Sequence, residues 1–290
     1  MSDISANSRP LSGLPPALKA PPGATDCHIH LYPPGYEAQP GGPSIPELAT
    51  VEDYRKLQQW LQLDRVVVTQ PNAYQQNNAA LLESLSQLGA ETARGVAVVT
   101  PHTPRSELEV LHASGVRGAR IMNLPGGAVT STEMPLIEPH IREMGWHMMV
   151  QFNGRQLCEH LEALRGLKVD YIIDHIGKFI DPVSADDNRV DEILRLLDRG
   201  NAWFKICAGY ETSLIGGPDY PDVGAIARRV VEHAPDRVIW GSNWPHVGVP
   251  RDQYPNDAEQ LDVLLEWASP AVRQKILVDN PARLYGFSSP

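Results

Sequence analysis

The feature that most constrains this chain is an alternation repeated eight times. Short runs, apolar or rich in β-branched residues, end in polar residues, and each is followed by a stretch with apolar residues at helical spacing. The strand-like runs are Thr25–His30, Arg65–Gln70, Arg94–Thr100, Gly118–Asn123, His147–Asn153, Tyr171–His175, Trp203–Cys207 and Val238–Asn243. The helix-like stretches are Val51–Leu61, Ala79–Leu88, Arg105–Ala113, Glu133–Met144, Arg155–Leu164, Val190–Leu197, Val223–His233 and Ala258–Trp267. Thr50, Thr103-Pro104 and Asn256-Asp257 stand where N-caps are wanted. Eight strands, each followed by a helix, are what closes a (β/α)8 TIM barrel. A doubly wound open sheet often carries a Gly-rich first turn. Here that turn reads His30-Leu31-Tyr32-Pro33-Pro34-Gly35, which cannot cradle a pyrophosphate.

Residues 23–290 are read as one barrel domain, and residues 1–22, rich in Ser, Pro and Ala, as a flexible arm without the apolar core of a signal peptide. The Pro- and Gly-rich segment Leu31–Ala49 and the segment Gly209–Pro221 are read as loops at the catalytic mouth. The net charge is -10, and no basic run is long enough to follow a nucleic-acid backbone. No stretch reaches the length of a membrane span. Cys27, Cys158 and Cys207 are odd in number and form no C-x-x-C, which fits a reducing compartment, and a cytoplasmic protein is expected. The sequence leaves association into a homo-oligomer open. In so acidic a chain an anionic ligand must be caught by local cations.

In a barrel, chemistry gathers where strands end. The first strand ends in His28 and His30, which at i and i+2 share a face. The second ends in Gln70, with Asn72 beyond it. The fourth carries Arg120 and Asn123, the fifth Gln151 and Asn153. The sixth ends in Asp174-His175, followed by Gly177 and Lys178, the seventh carries Lys205, and the eighth ends Gly241-Ser242-Asn243-Trp244-Pro245-His246. A lone cation on an internal strand is costly unless it meets an anion. Arg120 and Lys205 are therefore either ligand-binding or paired internally, with Asp26 or Asp174 as partner.

These strand ends, together with Asn280-Pro281-Ala282-Arg283-Leu284-Tyr285, resemble the amidohydrolase superfamily, and more narrowly its branch of 2-pyrone-4,6-dicarboxylate lactonases and related lactone-transforming enzymes. The resemblance runs from about Ala24 to Phe287, and its most specific segment is Gly118–Val129. It implies a barrel acting on a small anionic lactone. In the family's metal-binding pattern the strand-one histidines are joined by histidines from strands five and six and an aspartate from strand eight. This chain keeps His28, His30 and His175 but has Gln151 or Asn153 at strand five and Asn243 at strand eight. Neutral carboxamides are poor zinc ligands, so no metal and no other cofactor is expected; the alternative is one zinc on His28, His30 and His175.

In this branch the strand-eight aspartate is the expected water-activating base, a role Asn243 cannot fill. A site without that base suits metal-independent migration of a lactone carbonyl between two hydroxyls of one substrate, and the resemblance implies an aldarolactone as that substrate, converted from D-galactaro-1,5-lactone to D-galactaro-1,4-lactone. The alternatives are a hydrolase of sugar-acid or dicarboxylate lactones and a non-catalytic sugar-acid binder. The expected catalytic set is His28, His30, His175 and Asn243. Arg120 is the expected bidentate clamp for the substrate carboxylate. Lys178 and Lys205 are expected at that carboxylate or at the lactone carbonyl, and Asn72, Gln151, Asn153, Tyr36, Tyr210 and His246 at the remaining polar groups.

Overall fold

The computed structural model describes residue 11 and residues 13–288. Eight strands pair in parallel in chain order: β1 (Thr25–Ile29), β2 (Arg65–Thr69), β3 (Ala93–Ala97), β4 (Val116–Asn123), β5 (His147–Phe152), β6 (Tyr171–Ile173), β7 (Ala202–Ile206) and β8 (Val238–Trp240). Each is followed by its helix: α1 (Val51–Leu61), α2 (Ala79–Leu88), α3 (Arg105–Ala113), α4 (Met134–Glu143), α5 (Leu157–Gly166), α6 (Asn188–Asp198), α7 (Pro221–His233) and α8 (Asp257–Trp267). The expected (β/α)8 barrel is thus what the chain forms.

Closure between the last strand and the first depends on local chemistry. Beyond β8 the His30 N–H donates to Trp244 O at 2.8 Å, and the Asn243 N–H donates to His28 O at 2.9 Å. Gly241 permits the approach, since a Cβ there would lie 2.7 Å from both Cβ and N of His28. Asp26 stitches the same seam. Its carboxylate accepts from the Ser242 N–H at 2.9 Å, the Ser242 hydroxyl at 2.6 Å, the His28 N–H at 3.1 Å and the Tyr54 hydroxyl at 3.3 Å.

The lower barrel is filled by inward side chains, among them Cys27, Val67, Met149, Ile172 and Trp203, and sealed by Tyr285 and Phe287. Residues of opposite parity, such as Ala119 and Ile121 of β4, pack beneath the helices. The polar groups that the interior cannot absorb are left to the C-terminal end of the strands.

β6 and β8 are shorter than the sequence pattern predicts, at three residues each. Their polar ends leave the ladder to turn into the mouth, and His175 and Asn243 take left-handed φ values of 54° and 62°. Two of the expected caps form. Thr50 makes a capping box with Asp53, and Asn256 accepts from Ala258 N and Glu259 N. Thr103 does not cap, because Pro104 takes the capping position, and its hydroxyl accepts from Thr100 N instead. Of the expected arm, residues 1–10 and 12 lie outside the described residues. Its described end is tied to α8, where the Ala17 and Leu18 N–H groups donate to the Asp262 carboxylate. No described helix is long and apolar enough to cross a membrane.

Candidate active site

The mouth is built in two tiers. The lower tier centres on Asp174, just beyond β6 and 1% exposed. Lys205 Nζ lies 3.2 Å from its Oδ1, His175 Nδ1 3.0 Å from its Oδ2, and His28 Nδ1 3.5 Å from its Oδ2. Burial alone would raise this carboxyl, but His175, Lys205 and His28 hold it well below the usual carboxylate range.

A chain of donors fixes the histidines. Lys205 Nζ reaches His28 Nδ1 at 3.1 Å, His28 Nε2 lies 3.3 Å from His30 Nε2, and His30 Nδ1 lies 2.8 Å from Thr69 O. A carbonyl only accepts and an ammonium only donates, so the protons sit on His30 Nδ1 and His28 Nε2. Both rings are neutral. Burial, then Lys205, pushes His28 well below its ordinary value; burial, then Arg120, pushes His30 down to about 3.

The upper tier is a cavity of about 170 Å³. His30, Asn72, Arg120, Gln151, His175, Lys178 and Asn243 line it, with Tyr32, Met122, Leu124 and Glu211. The run His175, Ile176, Gly177 and Lys178 has φ values of 54°, 52°, 76° and 47°, a tight left-handed turn that delivers both His175 and Lys178 to one rim. Burial pushes His175 down, with Asp174 opposing, and brings Lys178 to about 8. The Lys178 ammonium is in contact with Glu211 Oε2.

Arg120, 5% exposed, has no carboxylate within ion-pair distance among the described residues. It donates to Gln70 O at 2.5 Å and approaches Met122 Sδ at 3.6 Å, and its Nε has no partner. Three buried carboxamide oxygens on the same cavity are also unpartnered: Asn72 Oδ1, Gln151 Oε1 and Asn243 Oδ1. The Asn243 carboxamide is oriented by its neighbours. Its Nδ2 donates to Tyr210 Oη at 2.8 Å and to Glu211 Oε1 at 3.1 Å, so its oxygen is the free end. An aspartate here could make neither donation and would face Glu211.

Several expected residues lie elsewhere. Lys205 is fully buried beneath the cavity, on Asp174, His28 and Met149 Sδ, so of the two readings for this cation the structure places it in an internal pair. His28 is likewise beneath the lining. Asn153 Oδ1 accepts from Arg155 N and Ile180 N, which makes it a cap of the turn after β5. Tyr210 and His246 stand behind Asn243, with His246 Nδ1 3.0 Å from Tyr210 Oη and His246 Nε2 2.9 Å from Asp257. Tyr36 donates to Glu83 away from the cavity. Sequence reasoning did not single out Glu211 or Tyr32. The available signal for Glu211 was a carboxylate beside Tyr210 in a segment already read as a mouth loop.

The donor set for a metal can be judged from the same wiring. Among the described residues one trio, His28, His175 and Cys207, brings ligand atoms within 4.8 Å of one another. That trio does not include His30. His28 has both nitrogens committed, burial pushes the Cys207 thiol well up, and the Lys205 ammonium stands beside His28. A protonated thiol, an imidazole with both nitrogens already committed and an adjacent ammonium do not fit a divalent cation.

The amidohydrolase family model matches residues 25–287. The chain is 42% identical to the D-galactarolactone isomerase of Agrobacterium fabrum over 284 residues, 97% of each protein. It is 34% identical to a 2-pyrone-4,6-dicarbaxylate hydrolase of Comamonas testosteroni, over 93% of this chain and 92% of that protein. An apo crystal structure of an Agrobacterium tumefaciens protein superposes with a TM-score of 0.93 at 41% identity, covering 97% of this chain and 100% of that one.

The lower tier yields a stability prediction. Lys205→Met leaves Asp174 without its ammonium partner, and breaking one side of a buried pair costs about 3–5 kcal/mol. Urea unfolding of the variant should show a loss of that size. A loss below about 1 kcal/mol, the range of an ordinary surface substitution, would mean that the histidines alone hold Asp174.

Proposed function

The chain belongs to the amidohydrolase family, and we propose that it is an aldarolactone isomerase that converts D-galactaro-1,5-lactone to D-galactaro-1,4-lactone. The observation that carries this reading is the set of polar atoms the cavity leaves unsatisfied. Among the described residues one buried guanidinium lacks an anion, and three buried carboxamide oxygens lack donors. Buried polar groups are costly unless a partner arrives. A hexaric acid monolactone presents one carboxylate and three free hydroxyls, which matches that set in kind and number. A planar dicarboxylated pyrone would bring a second anion and no hydroxyl to these acceptors.

The reaction is an intramolecular transesterification. The carboxylate at C6 binds Arg120, and hydroxyl groups donate to Asn72, Gln151 and Asn243. The C4 hydroxyl then turns its proton from its carboxamide partner to the base and attacks the C1 carbonyl, and the bond from C1 to O5 breaks. A base must take a proton from the attacking oxygen, an acid must return one to the leaving oxygen, and donors must face the tetrahedral oxyanion. His175 suits the base. Its Nδ1 faces Asp174, which leaves Nε2 as the acceptor, as in a histidine oriented by a buried carboxylate. Lys178, with its pKa near 8 from burial, suits the acid. Holding both oxygens on one bound molecule makes the attack efficient without a metal, in keeping with the poor donor set. His30 and His28 support this tier as fixed neutral neighbours of His175.

Two outcomes test the reading. NMR of the 1,5-lactone incubated with chelator-treated protein should show the 1,4-lactone as the main product at an unchanged rate. Open-chain diacid as the main product would favour a hydrolase, an unchanged spectrum would favour a binder, and loss of activity on chelation would restore the metal. For the clamp, Arg120→Lys keeps the charge but loses the planar fork, and kcat/KM should fall by roughly one to three orders of magnitude. Full activity in Arg120→Ala would remove the residue from substrate binding.

A further inference from the structure

Glu211 reaches the cavity from the segment that follows β7, and its charge has no role in the reaction as described above. One of its oxygens touches the Lys178 ammonium, and the other accepts from Asn243 Nδ2 at 3.1 Å. Its side chain is 19% exposed, that of Lys178 14%, so the pair is only partly screened by solvent. The charges that line the cavity are therefore few. Arg120 and Lys178 are positive, Glu211 is negative, and His30 is neutral; His175 also favours its neutral form, because burial pushes it down. Asp174 and Lys205 cancel one another in the tier below. Among the described residues Glu211 thus leaves the cavity one positive charge, that of Arg120.

We propose that Glu211 is a specificity-determining residue, which neutralises Lys178 so that the site accepts a monoanionic lactone and rejects the dianionic open-chain acid. The proposal rests on the isomerase reading only for the chemical class of the ligand. A monolactone of an aldaric acid carries one carboxylate, and hydrolysis of that lactone yields a second. In a site with one free cation the second carboxylate would meet Glu211, and like charges brought together at low local dielectric strongly disfavour binding. Selection against the diacid also protects an isomerase from occupation by the hydrolysed form of its own substrate. The same carboxylate accounts for the amide at position 243. Asn243 donates to Glu211, whereas a second carboxylate there would oppose it.

The test is binding, measured by calorimetry with two probes on the intact protein: D-galactarate as the dianion and a D-galactarolactone as the monoanion. Glu211→Gln keeps the shape and an acceptor for Asn243 but frees Lys178, and should bind D-galactarate at least about tenfold more tightly than the wild type, with a much smaller change for the lactone. Glu211→Asp keeps the charge and should keep the wild-type preference. The double variant Glu211→Gln with Lys178→Met returns the cavity to one positive charge and should again reject the diacid. That double variant separates charge from packing, and thermal unfolding of each variant identifies any that fail to fold. If Glu211→Gln binds the diacid no better than the wild type, or if the double variant binds it as tightly as the single one, the proposal is overturned. If the wild type binds neither probe, it is the isomerase reading that fails, and the two failures are distinct.

Discussion

The structure of the mouth depends on one buried carboxylate. Asp174 sits at the end of β6, closed off from solvent, with Lys205, His175 and His28 around it. An ionised carboxylate at that depth is tolerated only if it is paired and hydrogen-bonded. Meeting that condition fixes the rest. Lys205 is drawn below the cavity, and its proton sets the tautomer of His28. That in turn sets His30, while Asp174, 3.0 Å from His175 Nδ1, leaves the outer nitrogen of His175 to the cavity. The lower tier is thus electrostatically closed, and it supports an upper tier that is left open.

What the upper tier leaves open is chemically specific. A protein interior satisfies nearly all of its buried polar atoms. Here a guanidinium nitrogen and three carboxamide oxygens on one cavity remain without partners among the described residues. Asn243 and Glu211 belong together in this arrangement. The amide donates to the carboxylate and turns its own oxygen outward, which an aspartate at that position could not do beside Glu211. The absence of a carboxylate at the head of β8 is therefore not the absence of one from the mouth. A carboxylate is present, delivered by the neighbouring loop and already paired with Lys178.

The fold was legible because its signal is repeated: eight β-branched or apolar runs such as Arg65-Val66-Val67-Val68-Thr69 could hardly be read otherwise between amphipathic helices. The polar ends of β6 and β8 were legible in type but not in conformation, since nothing local announces the left-handed turns at His175 and Asn243. Arg120, Gln151, Asn72 and Lys178 could be placed at the mouth by counting along strands. Depth could not be counted in the same way. Lys205 has the parity of a mouth residue but stops one layer lower, against Asp174, and its alternative as an internal ion pair could be weighed only by geometry. Asn153 has the residue type of a hydroxyl binder but is used by two backbone N–H groups just past the strand. Glu211 was hidden for a further reason. It lies on a loop, where no periodicity fixes direction, and only the three-dimensional path after β7 brings it to Lys178 and Asn243.

The central claim is that the lactone carbonyl moves between two hydroxyls of one bound molecule and never passes to water. The most direct measurement is isotopic. The 1,5-lactone is converted in water enriched in oxygen-18, and the 1,4-lactone formed is examined by mass spectrometry. Direct migration introduces no oxygen from solvent, so the product should carry no label. Label in the product lactone would mean that the ring is opened by water and closed again, and would contradict the account.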